Sequence, residues 1–234
     1  MNHPMLSVII PVYNGEVYIR AALESVLRQG DASTEVIVVN DGSTDATQDI
    51  LASFGERIQV LHQANRGPSA ARNAGVRASH GTYIGLLDAD DLWPDGRTQL
   101  ALAHLSRESA DFVRGKTVFI EEGQGSAHAL SEPVFMEALV GAGLYKRHVF
   151  ERAGWFDEEM RCGEDIDWHL RLVESGCVEY RIQETMLIYR RHMANMTRSE
   201  DVLKKGQLDA LRKKLARART RTHAQNTDAY ASIR

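Results

Sequence analysis

The chain has 234 residues, of which 43% are hydrophobic and 26% are charged, and its net charge is −4. These values are typical of a globular protein and exclude a disordered one, and the negative charge predicts no general affinity for nucleic acid. No stretch approaches the roughly 20 apolar residues that span a bilayer. The only cysteines are Cys162 and Cys177, which is typical of a reducing compartment and too few for a zinc site. We therefore expect a cytoplasmic protein.

Apolar runs alternate with amphipathic segments in the first half of the chain. Strands are predicted at residues 6–10, 35–39, 58–62 and 82–87. Between them, apolar residues recur at helical spacing, and Asn14 is expected to cap the first helix, with Ser43 or Thr44 at the start of the second. This alternation predicts an α/β fold with a mostly parallel, Rossmann-like sheet flanked by helices.

The regular alternation ends near residue 120, where we place a soft boundary within the domain. The other predicted elements are a helix at 96–106, a strand at 112–120, a polar loop at 121–132, a helix from Gly163, and short strands at 178–182 and 186–190. The segment 199–234 is predicted to be a basic helical tail with a narrow apolar stripe. This tail either packs on the body or docks to a partner or an anionic membrane surface, which would place the protein at the inner face of a membrane.

Three carboxylates within four positions, Asp88, Asp90 and Asp91, follow the last of the four predicted strands. Tyr13 and Asp41 follow two other strands, and ligands of parallel sheets bind beyond the carboxyl ends of the strands. The crowded carboxylates indicate either a divalent cation site or a solvated turn. Asp41 is either part of an Asx turn or an acceptor for the ring N–H of a base.

Motifs of several common enzyme classes are absent from the sequence. It has no GxGxxG after the first strand, no GxxxxGK[ST], no HExxH and no GxSxG. This excludes the usual dinucleotide, P-loop, zinc-protease and hydrolase sites. Any phosphate or metal site must therefore be built from other residues.

Six short motifs occur in an order that is known from one enzyme family. They are Pro11-Val12-Tyr13-Asn14, Val39-Asn40-Asp41-Gly42-Ser43-Thr44-Asp45, Asn65-x-Gly67 with Ala71-Arg72-Asn73, Leu87-Asp88-Ala89-Asp90-Asp91, Gly154-x-Phe156-Asp157 and Glu164-Asp165. Over about residues 5–195, the chain resembles the inverting family-2 glycosyltransferases. The resemblance implies a GT-A fold and transfer of a sugar from a nucleotide donor to an acceptor hydroxyl.

The resemblance implies a nucleotide-sugar-binding half at residues 1–120. Its nucleotide-binding residues would be Pro11, Tyr13, Asn14, Asp41, Arg72, Asp88, Ala89 and Asp90. Tyr13 would lie near the uracil face, Asp41 would accept a hydrogen bond from the uracil N–H, and Asp88 would lie near the ribose. These roles favour UDP as the nucleotide. Arg72 would either face the nucleotide or pair with a neighbouring carboxylate.

The resemblance also implies a metal site, with Mn²⁺ or Mg²⁺ as the cofactor at the diphosphate. Asp90 and Asp91 would lie near the ion, and their hard oxygens suit either metal. Pro94 comes one position earlier after the aspartates than is common in the family, so the choice between Asp90 and Asp91 stays open. His192 would reach the metal or the diphosphate from the end of the last strand.

The acceptor and catalytic half is expected at residues 121–198 of the same domain. Asp165 matches the family's general base, which removes the proton of the acceptor hydroxyl. A first-turn aspartate favoured by the helix dipole is the alternative interpretation. Glu164 would position the acceptor or orient Asp165, and Trp168 would either stack against the acceptor or lie in the core.

We therefore predict a metal-dependent inverting glycosyltransferase of surface glycan or glycoconjugate synthesis. The chain lacks a QxxRW motif after Asp165, which favours a single transfer per encounter over processive synthesis. Its partners would be a nucleotide-sugar donor and a glycan, lipid-linked or other hydroxyl acceptor. A sugar-nucleotide pyrophosphorylase and a non-catalytic nucleotide-sugar-binding module remain as alternatives.

Overall fold

The structure is a computed structural model, and it describes residues 5–30, 33–107, 109–123, 126–129, 132–136, 138–193, 195 and 199–231. Gly125 of the predicted polar loop and residues 232–234 of the predicted tail lie outside these residues. The strands are β1 (Leu6–Val12), β2 (Thr34–Asn40), β3 (Gln59–His62), β4 (Tyr83–Leu86), β5 (Phe112–Gly123), β6 (Ser126–Ala129), β7 (Gly143–Lys146) and β8 (Glu179–Arg191). The α-helices are α1 (Ile19–Leu27), α2 (Thr47–Ala52), α3 (Pro68–Ala78), α4 (Arg97–Arg107), α5 (His148–Ala153), α6 (Glu164–Glu174) and α7 (Glu200–Ala231).

One sheet organises these elements. Its strand order is β3-β2-β1-β4-β7-β5-β6, and β8 pairs with β5. Strands β1 to β4 are joined by parallel pairings, as the alternation of strands and helices predicts. Strand β7 runs antiparallel to both β4 and β5. The sheet is therefore parallel on one side and mixed on the other, and the boundary predicted near residue 120 falls inside β5.

Strand β1 shows why the central strands are apolar throughout their length. Leu6, Val8 and Ile10 pack into one core, and Ile9 packs into a second core on the other face of the sheet. Successive side chains of a strand point to opposite faces, so a strand that is covered on both faces is continuously hydrophobic. Helices α1, α2 and α4 contribute to the first core, and α3, α5 and α6 contribute to the second.

The two predicted helix caps are wrong. Asn14 lies ahead of α1 with a φ of +51°, and its Oδ1 accepts a hydrogen bond from the Thr44 amide at 2.8 Å. At the start of α2, the amide of Thr47 donates a hydrogen bond to the side chain of Asp45 at 3.0 Å. Asp45 is therefore the acceptor at this helix start, and neither Ser43 nor Thr44 is. Asn14 therefore joins the loop after β1 to the loop after β2, because its short polar side chain tolerates the left-handed conformation.

Two predictions for the second half are also wrong. Residues 121–132 were expected to form a loop, but β5 continues to Gly123 and pairs antiparallel with β6. The short strands expected at 178–182 and 186–190 form one strand, β8, whose pairing with β5 changes register next to Lys116. Edge strands with a solvated face contain polar residues, so they give no continuous apolar run in the sequence.

The C-terminal segment forms the predicted helix, and one side of α7 docks on the start of α6. Gly206 is buried against the backbone of Cys162 and Gly163, where a Cβ at Gly206 would lie 3.0 Å from backbone atoms of both residues. Further along the helix, Nη1 of Arg217 lies 2.7 Å from Oδ1 of Asp167. The tail therefore packs on the body through this side.

The apolar stripe of α7 is not part of this contact. Leu208, Leu211 and Leu215 are 52%, 49% and 59% exposed. Because each residue turns a helix by about 100°, these leucines lie on the side of α7 that is opposite Gly206 and Arg217. In the part of the chain that the structure describes, no helix is both long enough and apolar enough to cross a membrane.

Replacement of Gly163 by alanine tests the docking of α7. Gly163 has a φ of +79°, and a Cβ there would lie 2.5 Å from the Gly206 carbonyl oxygen. Gly96 is the matched control, because its φ is +75° and its Cβ would have no atom within 4 Å. We expect Gly163→Ala to lower the free energy of unfolding by about 1–3 kcal/mol more than Gly96→Ala does, since overpacking costs that much. Urea denaturation measures both, and equal losses would contradict the contact.

Candidate active site

Arg72 lies at the centre of a polar cluster at the carboxyl end of the parallel strands. The residue belongs to α3 and is only 3% exposed. Its Nη2 donates to Asp88 at 2.6 Å, and its Nη1 lies 2.8 Å from Glu164 and 3.2 Å from Asp165. One guanidinium thus contacts the turn after β4 and the first turn of α6. Arg72 was expected either to face the nucleotide or to pair with a neighbouring carboxylate. In the structure it pairs with carboxylates.

Helix α3 brings Arg72 close to the sheet because the helix is built from small residues. Pro68 opens its first turn, where the missing N–H of proline has no intrahelical partner to lose. Ala71 is fully buried, and a Cβ on Gly75 would lie 2.2 Å from Cγ2 of Ile9 in β1. A larger residue at Gly75 would push the helix away from the sheet. The small side chains therefore set the position of the guanidinium.

The charges of this cluster depend on one another. Burial opposes the charged form of Arg72, but the negative charges of Asp88, Asp165 and Glu164 outweigh it and raise the pKa of the guanidinium. Burial raises the pKa of Asp165 well above its usual range, Arg72 lowers that pKa, and Glu164 raises it again. A carboxylate with a raised pKa is a stronger base than an exposed aspartate.

Asp90 forms a second group of contacts in the turn after β4. The turn is closed by the Asp91 amide, which donates to the Asp88 carbonyl at 3.0 Å. Oδ2 of Asp90 lies 3.1 Å from Nε2 of His192 and accepts a hydrogen bond from Nδ2 of Asn195, also at 3.1 Å. Burial and the negative charge of Asp88 raise the pKa of Asp90. The structure therefore brings Asp88, Asp90 and His192 together, as the sequence predicts.

Asp91 faces the interior of the protein. The residue is 2% exposed, and its Oδ1 accepts a hydrogen bond from the Arg190 amide at 3.0 Å. Burial, followed by the charges of Asp90 and Asp88, raises its pKa well above the usual range. An ion bound at the surface of the site would not reach this carboxylate. The prediction that Asp91 is a metal ligand is therefore wrong, and the residue ties the turn to β8 instead.

Asp41 organises the loop that follows β3. It is 3% exposed, and it accepts hydrogen bonds from the amides of Arg66 at 2.9 Å and Gly67 at 2.8 Å. A third hydrogen bond comes from Nε2 of Gln63 at 2.7 Å. A carboxylate has about four acceptor positions, so these contacts leave one. The loop contacts are structural, and the contact of Asp41 with a base stays a prediction.

The other predicted nucleotide-binding residues differ in exposure. Pro11 is buried within β1, and Ala89 is half-buried beside Gly15. Tyr13 is 52% exposed, so its ring is accessible to a base. Asn14 is exposed and joins two loops of the same edge. Of these residues, Tyr13 is the one whose side chain presents a large surface to a ligand.

Trp168 lies in the core. It is 0% exposed, its ring stacks on Phe156 with the centroids 4.8 Å apart, and its Nε1 donates to the Gly154 carbonyl at 2.9 Å. Such complete burial excludes contact with a sugar, so the predicted acceptor role of Trp168 is wrong. Trp155 is 40% exposed, and the guanidinium of Arg77 lies 4.8 Å from its ring centroid.

Comparison with protein families identifies the chain. The family model named Glycosyl transferase family 2 matches residues 7–162. The chain belongs to glycosyl transferase family 2. The uncharacterized glycosyltransferase EpsJ of Bacillus subtilis (strain 168) is 32% identical over 217 residues, which cover 83% of this chain and 63% of EpsJ. The uncharacterized glycosyltransferase RT0329 of Rickettsia typhi is 29% identical over 211 residues, which cover 83% of this chain and 66% of the relative. The chain thus spans less than two thirds of either relative's length.

Solved structures of the S. aureus protein TarS have a similar fold. The structure of TarS 1-349 in complex with UDP-GlcNAc has a TM-score of 0.71 and 21% sequence identity, and the match covers 83% of this chain and 61% of that chain. The complex with UDP has a TM-score of 0.68 and 22% identity, covering 80% of this chain and 60% of that chain. These similarities confirm the predicted GT-A fold.

Three residues of this site were not predicted. Tyr18 stacks on His192 with ring centroids 4.1 Å apart, and Nη2 of Arg190 donates to the Tyr18 carbonyl at 3.1 Å. Asn195 completes the group through its contact with Asp90. The signal in the sequence is the run of polar residues at the end of β8 and just after it, whereas Tyr18 is separated from them by most of the chain. Only the fold brings it to His192.

Two carboxylates of the turn after β4 could supply part of the coordination shell of a divalent metal ion. Among the described residues, no group of three or more His, Cys, Asp or Glu side chains forms a metal-binding cluster. The side chains of Asp88 and Asp90 are 36% and 32% exposed, and Mg²⁺ is commonly held by one or two carboxylates together with substrate phosphates. Nδ1 of His192 is buried and has no hydrogen-bond partner in the described chain. Asp88 and Asp90 are therefore the side chains that could hold a divalent ion together with substrate phosphates.

Arg72→Gln tests whether the guanidinium holds the cluster together. We expect the substitution to lower the free energy of unfolding by about 3–5 kcal/mol at neutral pH, because it leaves buried carboxylates without their partner. Arg77 is the matched control on the same helix, since its side chain is 55% exposed, and Arg77→Gln should change stability by less than about 0.5 kcal/mol. Urea denaturation measures both variants.

The loss in Arg72→Gln should also depend on pH. Without the arginine, the pKa of Asp165 rises further above that of the unfolded chain, so the folded variant binds a proton first as the pH falls. Proton uptake by the folded state stabilises it, and the deficit of the variant should therefore shrink on acidification. A deficit that grows as the pH falls would contradict this account.

Proposed function

We propose that this glycosyltransferase transfers a sugar from a UDP-sugar to an acceptor hydroxyl by direct displacement, with inversion at the anomeric carbon. The observation that carries the proposal is the contact of Arg72 with both Asp88 and Asp165. Asp88 belongs to the turn on the proposed donor side, and Asp165 is the proposed base. The shared guanidinium holds these two carboxylates close to each other.

Asp165 acts as the general base in this proposal. One carboxylate oxygen takes the proton of the acceptor hydroxyl while the hydroxyl oxygen attacks the anomeric carbon. The bond between that carbon and the diphosphate breaks on the opposite face, and both of its electrons leave with the diphosphate. Arg72 and burial act on the pKa of Asp165 in opposite directions, and burial dominates. This keeps the base strong enough for proton transfer while the guanidinium still favours its ionised form.

Asp90 would hold the metal ion in this proposal, with Asp88 as the second carboxylate. Bound Mn²⁺ or Mg²⁺ would act as a Lewis acid that stabilises the negative charge of the leaving diphosphate. His192 and Asn195 orient the Asp90 carboxylate by their contacts at 3.1 Å. Tyr18 fixes the plane of the His192 ring through stacking.

UDP is the proposed nucleotide because TarS, a protein of the same fold, has been solved with UDP and with UDP-GlcNAc. The exposed ring of Tyr13 offers a stacking surface for the base. The acceptor is proposed to be a glycan, since TuaG of B. subtilis, which is 31% identical over 80% of this chain, is provisionally named a teichuronic acid biosynthesis glycosyltransferase. We propose one transfer per encounter.

Asp165→Asn tests the base. We expect kcat to fall by about 10²–10⁴-fold, because an amide does not accept the proton, while donor affinity changes little. Asp95→Asn is the matched control, since the Asp95 side chain is 83% exposed in the turn before α4. Steady-state kinetics and calorimetric donor titration provide the two readouts. Activity of Asp165→Asn equal to that of the control would exclude Asp165 as the base, and an NMR spectrum of a product with retained configuration would exclude direct displacement.

Asp90→Asn tests the metal site in the absence of turnover. At saturating UDP, we expect Mn²⁺ or Mg²⁺ to raise Tm by roughly 5–10 °C above UDP with EDTA, because a ligand that binds only the folded state stabilises it. Asp90→Asn should lose most of this metal-dependent shift, and Asp95→Asn should keep it. An identical shift with EDTA would argue against metal-dependent donor binding.

The same preparations separate the two alternative functions. A pyrophosphorylase would release pyrophosphate from a nucleoside triphosphate, and a binding module would bind the donor without turnover on a broad panel of acceptors. Strand β1 ends within Pro11-Val12-Tyr13-Asn14 and is not followed by a Gly- and Arg-rich phosphate loop, which disfavours the pyrophosphorylase. If the wild type released pyrophosphate and Asp165→Asn did not, the pyrophosphorylase would replace the proposed glycosyl transfer.

A further inference from the structure

Helix α7 has two sides with different surroundings. Gly206 and Ala210 are buried against the body, and Lys213 and Arg217 on the same side pair with acidic side chains of the body. The opposite side carries the exposed leucines of the apolar stripe. The docked side already holds the helix in place, so the stripe is not needed for folding of the tail.

The outward face of α7 combines this stripe with positive charge. We define the outward face as Asp201, Lys204, Lys205, Leu208, Leu211, Arg212, Leu215 and Arg219, which helical geometry puts on the side away from the body. All of these side chains are exposed. Lys204 lies 2.9 Å from Glu200 and Arg212 lies 3.0 Å from Asp209, but exposed ion pairs of this kind contribute little energy and open readily.

Charge is distributed unevenly between this helix and the rest of the chain. Residues 204–221 hold eight of the 28 Lys and Arg residues but only one of the 32 Asp and Glu residues. The rest of the chain is therefore strongly acidic and is repelled by a negatively charged surface. The helix is the part of the molecule that such a surface attracts, and this asymmetry orients the protein.

We propose that the outward face of α7 binds an anionic lipid surface. The leucines enter the boundary between headgroups and acyl chains, and the long basic side chains beside them extend to the lipid phosphates. A second copy of this chain fits the same face less well, because two such faces would bring Lys204 and Arg212 against like charges. Neither the proposed base nor the proposed metal site takes part in this binding.

Co-sedimentation of the 234-residue chain with extruded vesicles tests the proposal. We expect binding to equimolar phosphatidylglycerol and phosphatidylcholine, no binding to phosphatidylcholine alone, and weaker binding as NaCl rises, because salt screens the attraction. The variant Leu208→Gln/Leu211→Gln/Leu215→Gln removes the apolar part. The variant Lys204→Gln/Lys205→Gln/Arg212→Gln/Arg219→Gln removes the charge. Each should lower the partition coefficient by more than about tenfold.

Matched controls lie on the body of the protein. Val173 and Val178 are 61% and 51% exposed, so Val173→Gln/Val178→Gln controls for loss of exposed apolar surface. The side chains of Arg28 and Arg77 are 58% and 55% exposed, so Arg28→Gln/Arg77→Gln controls for loss of charge. Both controls should bind vesicles within about twofold of the wild type. Circular dichroism and thermal melting verify that every variant is folded.

Three outcomes would overturn the proposal. The first is equal binding to neutral and anionic vesicles, or none to either. The second is undiminished binding by both α7 variants. The third is a concentration-dependent dimer in analytical ultracentrifugation that the leucine variant abolishes, which would assign the outward face to self-association.

Discussion

Arg72 carries one positive charge into a buried position where Asp88, Glu164 and Asp165 meet, and the arrangement of the site depends on this contact. The two ends of the site come from distant parts of the chain, the turn after β4 and the first turn of α6. Without a shared cation, these three carboxylates would repel one another. The small residues of α3 are therefore part of the site, because they allow the helix to bring the guanidinium to the sheet.

A second constraint is the joining of the turn after β4 to the end of β8. Asp91 points inward and binds the Arg190 amide, while Asp90 points outward and meets His192 and Asn195. Adjacent carboxylates thus have different tasks, one structural and one directed at the ligand side. Burial raises the pKa of both, but only the partly exposed Asp90 is placed to exchange its protein contacts for a ligand.

Helix α7 connects the periphery of the protein to this site. Its docked side packs Gly206 against Gly163. Gly163 directly precedes α6, whose first turn contains the proposed base, Asp165. A change at the surface of α7 can therefore be separated from a change at its docked side. The former alters the exposed leucines and cations, whereas the latter alters support for the turn that carries Glu164 and Asp165.

Sequence patterns alone predict the family, the parallel half of the sheet, the terminal helix and the group of residues around Asp88, Asp90, Arg72 and Asp165. These features are local, since continuous apolar runs, helical spacing and short ordered motifs can be read within a few residues. Tertiary structure decided that Asp91 faces inward, that Trp168 lies in the core and that the leucines of α7 face away from the body. It also brought Tyr18 and Asn195 to His192 and Asp90. The physical reason is that burial and partner choice depend on elements far away in the chain, which no local pattern contains.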